Sequence, residues 1–203
     1  MAVFIAKNAG IAFMIVGAIT LLGGILTIIL PIADVEGYSD RDIAYFIILA
    51  IGEIIAGLLY FIYGRRANAG RITKQIDVLT QFVKVVGLTA IISGVFSTAA
   101  SIYPDIDLGT FFAGAISSII IGVILLVISI LIKDGRKSIL DKLLWTALLI
   151  AFLSLFLISL LEILAVDNVV AGAVGVLTYV FMVILLFEPE VELSMGIRTE
   201  ENL

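Results

Sequence analysis

The 203-residue chain contains no cysteine and no histidine. Without cysteine there is no disulfide framework and no thiolate metal site. Without histidine the chain lacks the commonest general base, the usual haem and copper ligand, and the side chain that ordinarily titrates near neutrality. Charge is scarce too, at 14% of residues, where soluble domains carry about a quarter. The 12 cations are outnumbered by 17 acids, so the basic face that a nucleic-acid partner needs is missing. There is no Gly-x-Ser-x-Gly elbow, no phosphate loop and no set of metal-spaced ligands, and the connections are too short to hold a separate domain. The chain therefore reads as non-enzymatic, with no cofactor and no metal.

What is present is grease. Hydrophobic residues make up 62% of the chain, and the mean hydropathy is +1.26. A soluble fold of this size leaves too much surface exposed to hide that much apolar area. Lipid is the solvent that fits. A helix needs about 20 apolar residues to cross the roughly 30 Å core of a bilayer. Six stretches qualify: 9–31, 43–63, 83–103, 110–132, 143–165 and 168–187. The expected fold is an all-α, polytopic membrane helix bundle, one transmembrane domain over 1–187 followed by an acidic cytoplasmic tail, 188–203. Met1–Gly10 carries only Lys7 before the apolar run Ile11–Leu30, which is too long for a signal-peptide core and reads as a retained first span.

Orientation follows from the cations. Lys7, Arg65, Arg66, Arg71, Lys74, Lys84, Lys133, Arg136, Lys137, Lys142 and Arg198 fall on one side of the six spans, and only Arg41 on the other. The opposite loops carry Asp34, Glu36, Asp40, Asp42, Asp105, Asp107 and Asp167. The positive-inside rule places both termini in the cytoplasm of a multi-pass cell-membrane protein. Tyr38, Tyr45 and Tyr103 at outer ends, and Tyr60, Tyr63 and Trp145 at inner ends, fit interfacial aromatic belts. Pro31 and Pro104 are expected to end helices, and Pro189 to stop the sixth. Arg71–Val83, with Ile72, Ile76, Leu79 and Val83 at helical spacing, reads either as an amphipathic helix on the inner leaflet or as a connector continuing into span three.

Small residues recur with a pattern. Gly17, Thr20, Gly24 and Thr27 in span one are matched 70 residues on by Gly87, Ala90, Gly94 and Ser97. Ala50, Glu53 and Gly57 are matched 65 residues on by Ala115, Ser118 and Gly122, with Asn168, Ala171 and Gly175 keeping the spacing in span six. Such alternation places small side chains on one helix face, where backbones approach closely. Three parallel helical hairpins are expected, 9–66, 83–137 and a degenerate 143–187.

Glu53 breaks that pattern with a costly residue. An acid at mid-membrane costs about 2.5–3.5 kcal/mol on insertion scales. Held against the bundle, its carboxyl can take up and release a proton, or bind a cation once water arrives. The plainer alternative is a buried acid satisfied by a hydroxyl such as Thr20 or Thr27. Glu162, one turn after Ser159, lies near the outer end of span five and is a second candidate. Lys84 can snorkel to the inner interface. Two functions follow. One is a small channel or transporter for protons or cations, using Glu53 with Glu162, Thr20, Thr27, Ser97 and Ser118 along the path. The other is an accessory subunit that packs against itself or membrane partners through its small-residue faces, Gly17, Gly24, Gly57, Gly87, Gly94, Gly122 and Gly175. A polar cavity reaching Glu53 distinguishes the first from the second.

Overall fold

Backbone N–H and C=O groups in lipid must be satisfied within their own segment, which makes helices of the apolar runs. The computed structural model describes residues 6–33, 38–102, 112–132, 139–164 and 169–199. All their regular structure is helical: α1 (Ala6–Ala33), α2 (Asp40–Asn68), α3 (Gln75–Ala100), a π-helical turn (Phe112–Ile116) leading into α4 (Ser117–Ile132), α5 (Ile139–Leu164), α6 (Val169–Leu186) and the short α7 (Pro189–Ser194). Asp34, Glu36, Tyr103, Pro104, Asp105, Asp107, Lys133, Arg136, Lys137, Asp167 and Asn168 lie outside the described residues.

Five helical stretches are long and apolar enough to cross a membrane: Lys7–Ala33, Asp40–Asn68, Gln75–Ala100, Gly114–Ile132 and Ile139–Leu161. The described apolar part of α6, Gly172–Leu186, is shorter than these. Large apolar side chains stand outward, with Ile130 at 69% and Leu161 at 62% exposure. Only an apolar surrounding makes such a surface stable.

Neighbouring helices run antiparallel and meet through small residues. α1 and α2 touch where Gly17 faces Gly57 and where Gly24 faces Ala50. α3 and α4 touch where Gly87 faces Gly122 and where Gly94 faces Ala115. Between α5 and α6, Gly175 lies against Ser159, and Gly172 against Ser159 and Ile163. Gly10 and Gly64 extend the α1–α2 seam by another contact.

The helices depart from the sequence reading at Pro31 and at Tyr60 and Tyr63, and of the two readings of 71–83 the connector continuing into span three is the one that fits. α1 continues to Ala33, so Pro31 sits inside its last turn instead of ending it. The segment before span three is not a surface helix: α3 is continuous from Gln75, and Val78, Leu79 and Val83 are fully buried. Their apolar stripe faces protein, not leaflet. Tyr60 and Tyr63 are likewise core residues, not belt residues, and the Tyr63 hydroxyl donates to the Val78 carbonyl at 2.8 Å. At the start of α2, Ser39 and Asp42 form a reciprocal capping box, the arrangement that satisfies the first free N–H groups of a helix.

The densest core lies toward the end of the bundle that carries Lys7, Arg65, Arg66, Lys74 and Lys142, here termed the basic end. Phe13, Phe82, Leu148, Phe152, Met182 and Leu185 are buried there. Past α6 the chain turns back under this core. Pro189 opens α7, as its fixed φ and missing N–H suit a first helical position. Val191 and Met195 are 0% and 2% exposed. α3 begins without a side-chain cap of its own. Glu190 supplies one instead, accepting the Gln75 backbone N–H at 3.1 Å, while Glu188 accepts the Gln75 side-chain amide at 3.3 Å. A carboxylate is favoured at that position by the helix dipole. The described part of the acidic tail is thus a packed element. Deleting 188–203 is expected to cost about 3 kcal/mol or more, from two buried side chains worth about 1.5–3 kcal/mol each. A lower thermal midpoint in detergent is the check. An unchanged midpoint overturns this role.

Candidate functional site

Away from the basic end the bundle is not filled. α1, α2 and α3 on one side, and α5 and α6 on the other, line an open-sided cavity of about 750 Å³. Glu53 lies near the middle of α2 and is half-buried on its wall. Ala50 and Gly57, one turn to either side, meet α1 directly. Their small side chains bring α1 close and leave Glu53 at the edge of the seam, looking into the opening. The Thr27 hydroxyl stands 3.0 Å from the Gly23 carbonyl and 3.1 Å from Glu53 Oε2, placed to donate to either.

Serine and threonine residues line the cavity from four helices. α1 contributes Thr20 and Thr27, and α3 contributes Thr89, Ser93 and Ser97, spaced every four residues along one face. α5 adds Ser159 and α6 adds Thr178. Thr20 donates to the Val16 carbonyl at 2.9 Å, and Thr89 to the Val86 carbonyl at 2.9 Å. Thr178 differs, since its hydroxyl is buried with no hydrogen-bond partner among the described residues. Glu53 is the only charged residue on the wall among the described residues.

Toward the basic end the cavity stops on aromatic rings. Tyr60 and Tyr179 line it. Beneath them Phe13 stacks on Phe82 with centroids 4.7 Å apart, and Phe181 meets Phe13 edge-on at 5.3 Å. Phe152 bridges Phe82 at 6.3 Å and Tyr179 at 6.4 Å. These rings form a floor between the cavity and the basic end.

Of the residues singled out in sequence, Glu53, Thr20, Thr27 and Ser97 share this cavity. Ser118 does not line it; its hydroxyl donates to the Gly114 carbonyl at 2.9 Å within its own helix. The Glu162 side chain lies outside the described residues. Gly17, Gly24, Gly57, Gly87, Gly94, Gly122 and Gly175 all sit at helix contacts. Lys84 lines a smaller cavity of about 420 Å³ at the basic end, with Arg66 and Arg71. Sequence reasoning missed Thr89, Ser93, Thr178 and the ring of aromatics. The four-residue spacing of Thr89, Ser93 and Ser97 was the available signal, obscured because Ser97 also extends the small-residue stripe of Gly87 and Gly94.

The structure defines the protein's class as an all-helical protein with several helices apolar and long enough to span a membrane. Comparison with protein-family models, with curated proteins and with solved structures finds no match to this chain.

Proposed function

We propose that the protein is a small transporter of protons or cations in which Glu53 is the group that binds the moving charge. The observation that carries this reading is the cavity of about 750 Å³ reaching Glu53 near mid-helix, with Thr20, Thr27 and Ser97 on its wall. A purely packing role has no use for an acid at that depth and would bury it against neighbours. The aromatic floor favours alternating access over an open pore, because the cavity is blocked on one side.

The same proposal takes α6 as a sixth span, of 18 residues, and sets the basic end in the cytoplasm by the positive-inside rule. Both termini are then cytoplasmic and the cavity lies in the outward half. The matched contacts Gly17–Gly57 with Gly87–Gly122, and Gly24–Ala50 with Gly94–Ala115, support a duplicated hairpin, with α5 and α6 as the divergent third.

The test is flux into proteoliposomes holding the full chain. Wild type is expected to carry H⁺, Na⁺ or K⁺ down an imposed gradient. Glu53→Gln, which keeps size and polarity but cannot ionise, is expected to lose that flux by at least about tenfold while eluting as a folded protein. Equal flux by both variants, or no flux of H⁺, Na⁺ or K⁺ by wild type, removes the reading as a carrier of these ions.

A further inference from the structure

Neither a proton nor a metal ion needs so much room. A cavity of about 750 Å³ falls within the roughly 300–1,000 Å³ typical of sites for small organic molecules. Its walls match that type of site, a mainly apolar lining with a few converging polar groups. Leu26 and Leu30 of α1, Leu49 of α2, Phe96 of α3 and Leu155 of α5 give the apolar surface. Such a wall gains nothing from a hydrated inorganic ion and a great deal from a hydrocarbon skeleton.

The sign of the ligand's charge follows from Glu53. Among the described residues no Lys or Arg lines the cavity, and a single carboxyl does. An anion would meet repulsion and no donor cation. Tyr60, Phe96 and Tyr179 also line the cavity, and aromatic rings attract cations through their quadrupoles. Thr178 adds an independent sign of a missing partner. The residue is 3% exposed, it lines the cavity, and its hydroxyl has no hydrogen-bond partner among the described residues, whereas Thr20, Thr27 and Thr89 each donate to a carbonyl of their own helix. A buried polar group in that condition normally has a ligand or water to complete it.

We infer that this cavity binds an amphipathic organic ammonium, its cationic nitrogen against the Glu53 carboxylate and its apolar skeleton along α1, α3 and α5, with the Thr178 hydroxyl accepting or donating one hydrogen bond. This inference rests on the proposed role of Glu53 as a charge-binding group and names the cation it takes.

One skeleton in three charge states tests it. Radiolabelled 4-phenylbutylamine, 4-phenylbutanol and 4-phenylbutyrate are dialysed against the purified full chain, with empty micelles subtracted. The amine is expected to bind saturably, about one per chain, at least about tenfold more tightly than the alcohol, and the butyrate not at all. Glu53→Gln is expected to erase the preference for amine over alcohol. Glu53→Asp, which keeps the charge, should retain it, and so guards against a folding artefact. Ser97→Phe, which fills the cavity from α3 and leaves the carboxyl intact, is expected to remove binding of both compounds. Equal binding of amine and alcohol by wild type, or an amine preference that survives in Glu53→Gln, overturns the inference. If no phenylbutyl compound binds while Glu53-dependent H⁺, Na⁺ or K⁺ flux is present, the inference falls and the transport reading stands. Glu53-dependent amine binding with no flux of H⁺, Na⁺, K⁺ or the labelled amine supports the site and removes the transport reading instead.

Discussion

Gly17→Val is expected to take the α1–α2 hairpin apart, with a loss of about 3 kcal/mol. A Cβ at position 17 would stand 2.6 Å from the Phe61 nitrogen and 2.7 Å from the Gly57 oxygen. Both are backbone atoms of α2, so no side chain can swing aside. From the other helix, a Cβ at Gly57 would meet the Leu21 nitrogen at 2.7 Å and the Gly17 oxygen at 2.9 Å. Relief requires the helices to separate along their length. Helix association in lipid depends mainly on close packing and on bonds between helices, since tails are as apolar as leucine. Separation therefore forfeits the main attraction, because dispersion falls steeply with a gap below the size of a water. Gly114→Val is the control, since a Cβ there meets nothing within 4 Å. Size-exclusion profiles and thermal midpoints in detergent should separate the two variants sharply. Indistinguishable behaviour would show that the seam tolerates a side chain.

The second large effect is expected at the cavity floor. Phe82 is fully buried, stacked on Phe13 and in contact range of Phe152 and Tyr60. Phe82→Ala should cost about 3–5 kcal/mol through the void it leaves. It should also thin the barrier between cavity and basic end. The chain has no native cysteine, so Ser97→Cys provides a single reporter on the cavity wall. In vesicles, a membrane-impermeant maleimide is expected to modify that cysteine from the outer side only. With Phe82→Ala added, modification from the cytoplasmic side should appear as well, along with a passive leak. Labelling from one side only in the double variant would mean that the floor is elsewhere. Phe82→Leu, which keeps most of the volume, should be stable and tight.

Much of this arrangement was legible in the residue pattern. The contacts of α1 with α2 and of α3 with α4 follow the glycines that recur every seven residues, Gly17 and Gly24, then Gly87 and Gly94. That is because a residue without a side chain has one structural use at mid-membrane. Glu53 was legible for the opposite reason, as the costly residue in a cheap pattern. Its contact with Thr27, one of two hydroxyls within reach, followed from the helix register. Which hairpin faces which did not follow. Periodicity identifies the small face of a helix but not what stands across from it, so Ser159 and Thr178 on the far wall of the cavity were not connected to Glu53. Ser118 was misplaced by the same gap, since its position in the repeat matches that of Glu53 but its helix lies beyond α3. Tyr60 and Tyr63 carry the composition of an interfacial belt, and only packing against Phe82 and Val78 makes them interior. The packing of the tail was not legible because its acids suggest water, whereas Glu188 and Glu190 bond to Gln75 at the start of α3.

The Thr27 hydroxyl owns a single hydrogen and stands between two oxygens. When Glu53 is a bare carboxylate the hydrogen turns toward it, since bonds to a charged acceptor are about twice as strong as neutral ones. Once the carboxyl is loaded, the hydrogen swings back to Gly23. That carbonyl lies one residue from Gly24, where α1 rests on α2. One turn farther, Pro31 has no N–H to return to the Thr27 carbonyl, so this stretch of α1 is held by fewer backbone bonds than the rest. On the proposed role of Glu53, loading of the acid is felt, through the rotation of one O–H bond, at the Gly23 carbonyl beside the α1–α2 contact.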